Sequence, residues 1–297
     1  MSPARPVPTL VTAPAAAGSA DLAQLRAELD RLDDSLHDLL MRRSHVVEQV
    51  GALGVKGRVP LRPGREASIV RRLADRHQGS FPVASLVLLW RELICGMTAL
   101  QRPLRIAVCD TTPDAATVAA TREHFGALVP LRAYTSPAQA IHEISTGLAT
   151  AAVLPLPQEG ETPRQAWWTA LLHRDDPRIH IVARLPFLTT RPEGAPQVQA
   201  FVVTAAAPDP SGADRSLLGL ELALESSRAR LGADLAAAGF TAGTVLLRRD
   251  PGAASAYALV DVEGFVPDGD PRLATLSAVL RPPVVLGAYA VPLEIKS

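Results

Sequence analysis

The chain has 297 residues, 47% hydrophobic and 20% charged, enough apolar material for two or three packed domains and too much for a disordered protein. Thirty Lys and Arg balance thirty Asp and Glu, so net charge gives no drive toward nucleic acid or a membrane surface. Two cysteines, Cys95 and Cys109, lie in apolar segments with no pairing pattern, which points to a reducing compartment, the cytoplasm.

Residues 1–18 are rich in Pro and Ala and read as a disordered tail. Their apolar stretch is short and broken by prolines, unlike a signal peptide, although the AAAGSA stretch leaves a secreted form as the alternative. No run reads as apolar and long enough to span a membrane. A helical pattern starts near Asp21 and runs to about Gly54. Leucines and valines fall at 22, 25, 29, 32, 36, 39, 46, 50 and 53, in alternating steps of three and four broken once. A helix that long cannot bury its stripe on short partners of its own, so the pattern implies packing against another chain.

The Gly/Pro-rich segment GVKGRVPLRPG ends this helix. A second helix starts at about Gly64, with apolar positions Ile69, Val70 and Leu73. After HQGSFP, a third carries Val83, Leu86, Val87, Trp90, Leu93, Ile94 and Met97 to about Gln101, and Pro103 closes the region. Strands and helices then alternate. LRIAVCD, TAAVLPLP, HIVARLPFL and AFVVTAA read as strands, and 115–125 and 138–147 as helices. From about Ser216 the expected order is strand, helix, strand, strand, helix, strand, with no fixed-period repeat.

Polar residues stand out in the helical region. Arg43 takes the stripe position between Leu39 and Val46, and Arg26 flanks the stripe at Leu25. Buried guanidinium is costly unless it meets an anion. A carboxylate from another helix would serve, and so would the carboxylates of a small ligand held bidentately. Glu66 precedes Ile69 and Leu73 by three and seven residues and so faces inward, and Gln101 continues the line of Trp90, Ile94 and Met97. Residues 42–76 are rich in arginine, and Lys56 is one of only two lysines in the chain. Lys56 reads either as a point charge aimed at a ligand or as a solvated loop residue. His, Cys and carboxylate spacing suggests neither a metal site nor a Ser-His-Asp triad. TALLHRDD reads as a solvated helix end. A pocket with charge and hydrogen bonds but no nucleophile suits a reaction that needs only orientation and electrostatics.

LAQLRAELDRLDDSLHDLLMRRSHVVEQVG, RPGREASIVRRL and LWRELICGMTALQ together resemble the all-α chorismate mutase family over about residues 20–102. The resemblance implies an intertwined homodimer of three-helix chains with shared active sites, converting chorismate to prephenate without a cofactor. It also implies roles. Arg26 reaches into the partner's site, and Arg43 holds a substrate carboxylate. Arg65 and Glu66 match an Arg-Glu pair whose Glu bonds the ring hydroxyl, and Gln101 donates to the ether oxygen. The family's lysine at that oxygen is expected at Lys56 in a shifted register, with Arg58 in reserve. Two positions depart from the family: Met97 stands where a small polar residue is common, and Arg62 where an acidic one is.

Residues 104–297 resemble a prephenate dehydratase with its ACT domain, fused in the order of the bifunctional P-proteins of phenylalanine synthesis. LRIAVCDTTPDAATVAA, AIHEISTGLATAAVLPLP, DVEGFVPDGDPRLATLSAVL and VVLGAYAVPL carry this resemblance. The family's Thr-Arg-Phe is replaced by Gln199-Ala200-Phe201 and its Glu-Asn segment by Pro157-Gln158-Glu159. The interval between HIVARLPFL and AFVV is too short for a second lobe. The Gly-Ala-Leu stretch of the regulatory domain is replaced within SSRARLGADL, and its Glu-Ser-Arg-Pro by Arg248-Arg249-Asp250-Pro251.

The expected architecture is therefore multidomain: a tail at 1–18, a three-helix mutase at 19–102, a truncated α/β dehydratase-like lobe at 103–210 and an α+β ACT-like βαββαβ domain at 211–297. The expected function is chorismate mutase with an inactive dehydratase-like half, in aromatic amino-acid biosynthesis, and no nucleic-acid or membrane partner. The alternative is a non-catalytic regulatory protein, and an active bifunctional enzyme is a third reading.

Overall fold

A computed structural model describes residues 19–53, 60–191 and 193–294. The expected tail, Lys56 and Arg58 lie outside the described residues. The chain divides into two compact units, residues 1–53 and 54–297.

The first unit contains one helix, α1 (Ser19–Ala52). Its stripe is exposed along the whole length, from 38% at Val50 to 73% at Leu53. A lone helix has nothing of its own to cover such a stripe.

The second unit opens with α2 (Pro63–Asp75) and α3 (Val83–Gln101). Ala67 and Val70 of α2 pack with Val87 and Ile94 of α3, and with Phe187 and Ala290 from the α/β body. The compact unit therefore runs across residue 102 without a break. The expectation that no segment is long and apolar enough to cross a membrane needs correction at α3, whose 19 residues pass that test by length and composition. Its inward face nevertheless carries a buried arginine, Arg91, and packs on α2 and on α4 (Ala116–Phe125).

The body is one nine-stranded sheet. Strands β1 (Ile106–Cys109), β2 (Leu131–Tyr134) and β3 (Ala151–Pro155) are parallel, linked through α4 and α5 (Pro137–Ser145). β5 (Ala200–Thr204) lies antiparallel between β3 and β4 (His180–Leu185). The remaining strands are β6 (Asp214–Leu222), β7 (Ala242–Arg248), β8 (Ala256–Glu263) and β9 (Val284–Ala290), with α6 (Arg228–Ala237) after β6. The full order is β2-β1-β3-β5-β4-β9-β6-β8-β7. The lobe and the βαββαβ segment expected as separate domains thus share a sheet, joined where Ile181 of β4 pairs with Gly287 of β9. A Cβ at Gly287 would stand 2.0 Å from the Ile181 carbonyl oxygen, so only glycine lets the strands meet there.

One local expectation needs correction, and two short elements went unread in the sequence. The helix expected before β9 is a short 3₁₀ turn, Pro271–Thr275, with Pro271 at its first position. Edge strand β2 carries no alternating apolar signal. The segment ahead of the solvated HRDD is a 3₁₀ helix, Trp167–His173, that buries Trp167, Trp168 and Leu171 in the main core.

Candidate functional site

Each expected site residue is placed by a different local rule. On α1, Arg43 occupies the heptad position left by the apolar stripe, and partial burial lowers its pKa. Arg26, by contrast, is exposed. Both belong to the first unit.

In the second unit, Pro63 starts α2, and its fixed φ suits the first helical position. Glu66 then falls on the inward turn. Its Oε2 accepts a hydrogen bond from Arg91 Nη1 at 3.3 Å, with side chains 13% and 5% exposed. The Arg91 guanidinium lies 4.8 Å from the Phe187 ring centroid, and Arg71 stands 5.7 Å from the same ring. Cation–π contact of this kind compensates a desolvated guanidinium in part. Burial lowers the Arg91 pKa while Glu66 opposes the shift. One turn further along α3, burial pushes the Cys95 thiol up to about 11, with Glu92 and Glu66 adding to the effect, so it is not a nucleophile at neutral pH.

Gln101 is the last residue of α3 and is half-buried, and Met97 faces inward one turn before it. Arg65 is exposed, and its backbone N–H is held by Asp209. The structure thus pairs Glu66 with Arg91, a residue the sequence reading did not single out. The signal was available: Val87, Arg91, Ile94 and Thr98 are buried at steps of four, three and four, the same interruption of an apolar stripe that marked Arg43.

A cavity of about 170 Å³ adjoins Arg91, lined also by His124, Phe187, Glu123 and Arg191. None of the expected site residues lines it. Glu123 and Arg191 form a bidentate ion pair there, and burial with the nearby Arg91 charge holds the His124 pKa well below its ordinary value. Among the described residues no cluster of His, Cys, Asp or Glu is placed to hold a metal ion.

The positions that depart from the dehydratase and regulatory motifs make structural contacts. Gln199 accepts from Arg184 Nη2 at 3.0 Å, and Arg184 Nη1 donates to the Tyr289 hydroxyl at 3.4 Å. That hydroxyl donates to Asp261 at 2.7 Å, and Asp261 also accepts from Arg215 at 2.7 Å. Burial and Asp261 push Tyr289 up to about 12. Arg248 forks onto Asp250 and donates to the Glu161 carbonyl at 2.8 Å. These partners tie strands and loops together.

Among relatives, a bifunctional chorismate mutase/prephenate dehydratase of Pseudomonas aeruginosa is 30% identical over 139 residues, covering 44% of this chain and 36% of that protein. One of Neisseria gonorrhoeae is 35% identical over 82 residues, covering 28% and 22%. The chain spans well under half the length of these relatives. Among solved structures, one described as a quorum-quenching acylase covers 62% of this chain and 94% of its own, with 19% identity and a TM-score of 0.47. A prephenate dehydratase of Streptococcus mutans covers 65% and 100%, with 14% identity and a TM-score of 0.47. Residues 25–102, the stretch that holds Arg26, Arg43, Glu66 and Gln101, match the family model of chorismate mutase type II.

Proposed function

We propose that the chain is a chorismate mutase acting as a cytoplasmic homodimer, with a C-terminal half that no longer dehydrates prephenate. The observation that carries the reading is the family match across residues 25–102, since it spans Arg26 and Arg43 of α1 and Glu66 and Gln101 of α2 and α3. The rearrangement breaks a C–O bond as it makes a C–C bond, and negative charge grows on the ether oxygen. Donors fixed there stabilise the transition state more than the ground state. Gln101 and Lys56 are assigned that task. Arg26 and Arg43 hold substrate carboxylates, Arg65 is a further substrate contact, and Glu66 accepts a hydrogen bond from the ring hydroxyl. Arg91 supports this by holding Glu66 in orientation through their hydrogen bond.

The exposed stripe of α1 supports a dimer closed by a second copy. The antiparallel order β9-β6-β8-β7 with α6 after β6 supports an ACT-like unit in which the second helix has shrunk to a 3₁₀ turn. Phenylalanine binding by that family's usual contacts is not expected. Loss of the threonine motif at Gln199-Ala200-Phe201 and the direct pairing of β4 with β5 support an inactive dehydratase half.

Purified full-length protein should convert chorismate to prephenate, identified by NMR of the product. A second reading rests on the Arg91 contact, which already engages Glu66: the region is then a non-catalytic relic that serves binding. It predicts no turnover but a ligand-dependent rise in melting temperature.

A further inference from the structure

Helix α2 begins without a cap of its own. Arg62 stands at the N-cap position and makes no side-chain cap bond, and a guanidinium has no acceptor to offer. Pro63 has no N–H, so the amides of Gly64 and Arg65 are the ones that need partners. Asp209 supplies both. Its Oδ1 accepts from the Gly64 N–H at 3.0 Å and its Oδ2 from the Arg65 N–H at 3.1 Å. Oδ2 also accepts from Arg62 Nε at 3.0 Å. These are the two amides that an N-cap side chain serves from within a helix. Here the carboxylate comes from residues 205–213, between β5 and β6, 145 positions away from Gly64.

Two more observations show that the contact is built into the chain. A Cβ on Gly64 would lie 2.0 Å from the Asp209 carbonyl oxygen, so only glycine at 64 admits Asp209 so close. The next turns of α2 are tied to the same connection. Ser68 Oγ donates to the Ser211 carbonyl at 3.0 Å, and Arg71 donates to Ser211 Oγ at 2.8 Å and to the Ala213 carbonyl at 2.9 Å.

We propose that Asp209 is a positioning residue for the mutase, a cap supplied from the C-terminal half that sets the first turn of α2 and with it Arg65 and Glu66. The proposal rests on the mutase reading above. It gives the C-terminal half a concrete task in the reaction, because the connection between its two parts orients the helix that carries two of the assigned residues. Asp209 touches no substrate and acts through α2.

The test uses full-length protein and transplants the cap. Asp209→Ala should lower kcat for chorismate by about tenfold or more, since small displacements of positioned groups are costly. It should also speed hydrogen exchange at the Gly64 and Arg65 amides. Asp209→Asn, which keeps one acceptor, should fall between. Adding Arg62→Asp to Asp209→Ala puts a cap back at the local position, and should restore most of kcat and slow the exchange of both amides. An unchanged kcat in Asp209→Ala overturns the proposal. So does a loss that Arg62→Asp leaves untouched, including a failure to fold shared by both variants. If the unmodified protein shows no mutase turnover, the mutase reading fails, while amide exchange still reports whether Asp209 sets the turn.

Discussion

Burial of the Glu66–Arg91 pair makes either member costly to remove alone. Arg91→Leu leaves a carboxylate in a site that is only 13% exposed, and should destabilise the protein by roughly 3 kcal/mol, measured by urea unfolding. A loss under ~0.5 kcal/mol would mean that the pair is not held as described. His124, beside Arg91, titrates below its ordinary value of 6.5 because burial and the Arg91 charge disfavour its protonated form. Above that value the ring is neutral folded or unfolded, and the full stability is present. As pH falls below it, the unfolded chain takes up a proton that the folded chain refuses, and stability is lost. Buried His180 shifts in the same direction. Urea midpoints should therefore fall between pH 7.5 and 5.5, and His124→Gln should flatten that slope. An equal slope in the variant would remove His124 as a cause. At this scale Glu66 was legible because it interrupts an apolar face. Arg91 interrupts one too, but the apolar run of Trp90, Ile94 and Met97 beside it marks a neighbouring face more strongly. Asp209 had no local signal, because a cap 145 residues away in sequence leaves no pattern at the helix it serves.

Among the elements, α1 carries the strongest sequence signal and the least cover. Nine apolar residues at heptad spacing between Leu22 and Leu53 stay exposed, and exposed apolar surface on this scale marks an interface. Leu32→Asp with Leu36→Asp should convert a dimer to a monomer in sedimentation velocity and lower mutase activity with it. A variant that sediments like the unmodified protein would rule out α1 as the interface. Helices α2 and α3 were legible through their periodicity and prolines, and most strands through short apolar runs. The misses share a cause. β2 is a short edge strand with half its residues exposed, and the 3₁₀ turns at Trp167–His173 and Pro271–Thr275 are too short to show a period. At α3 the reverse holds: its leucines make it apolar enough to pass the length test for a membrane span, although it buries Arg91.

For the whole molecule, the sequence divided cleanly into regions that the structure joins. Resemblance marked a boundary near residue 210, yet β4 and β9 pair across it and make one sheet. That seam depends on a contact between residues 106 positions apart, beyond the reach of any local pattern. With β4 and β5 joined directly and Gln199 bound to Arg184, the molecule should form no phenylpyruvate from prephenate; steady production by purified protein would overturn that part of the account. The decisive measurement is the rate of chorismate loss in the unmodified protein, Glu66→Gln and Gln101→Ala, each confirmed as folded by circular dichroism. Turnover is expected in the first, with losses of about 10²–10³-fold in each variant. No turnover in the unmodified protein, or full turnover in both variants, would contradict that expectation.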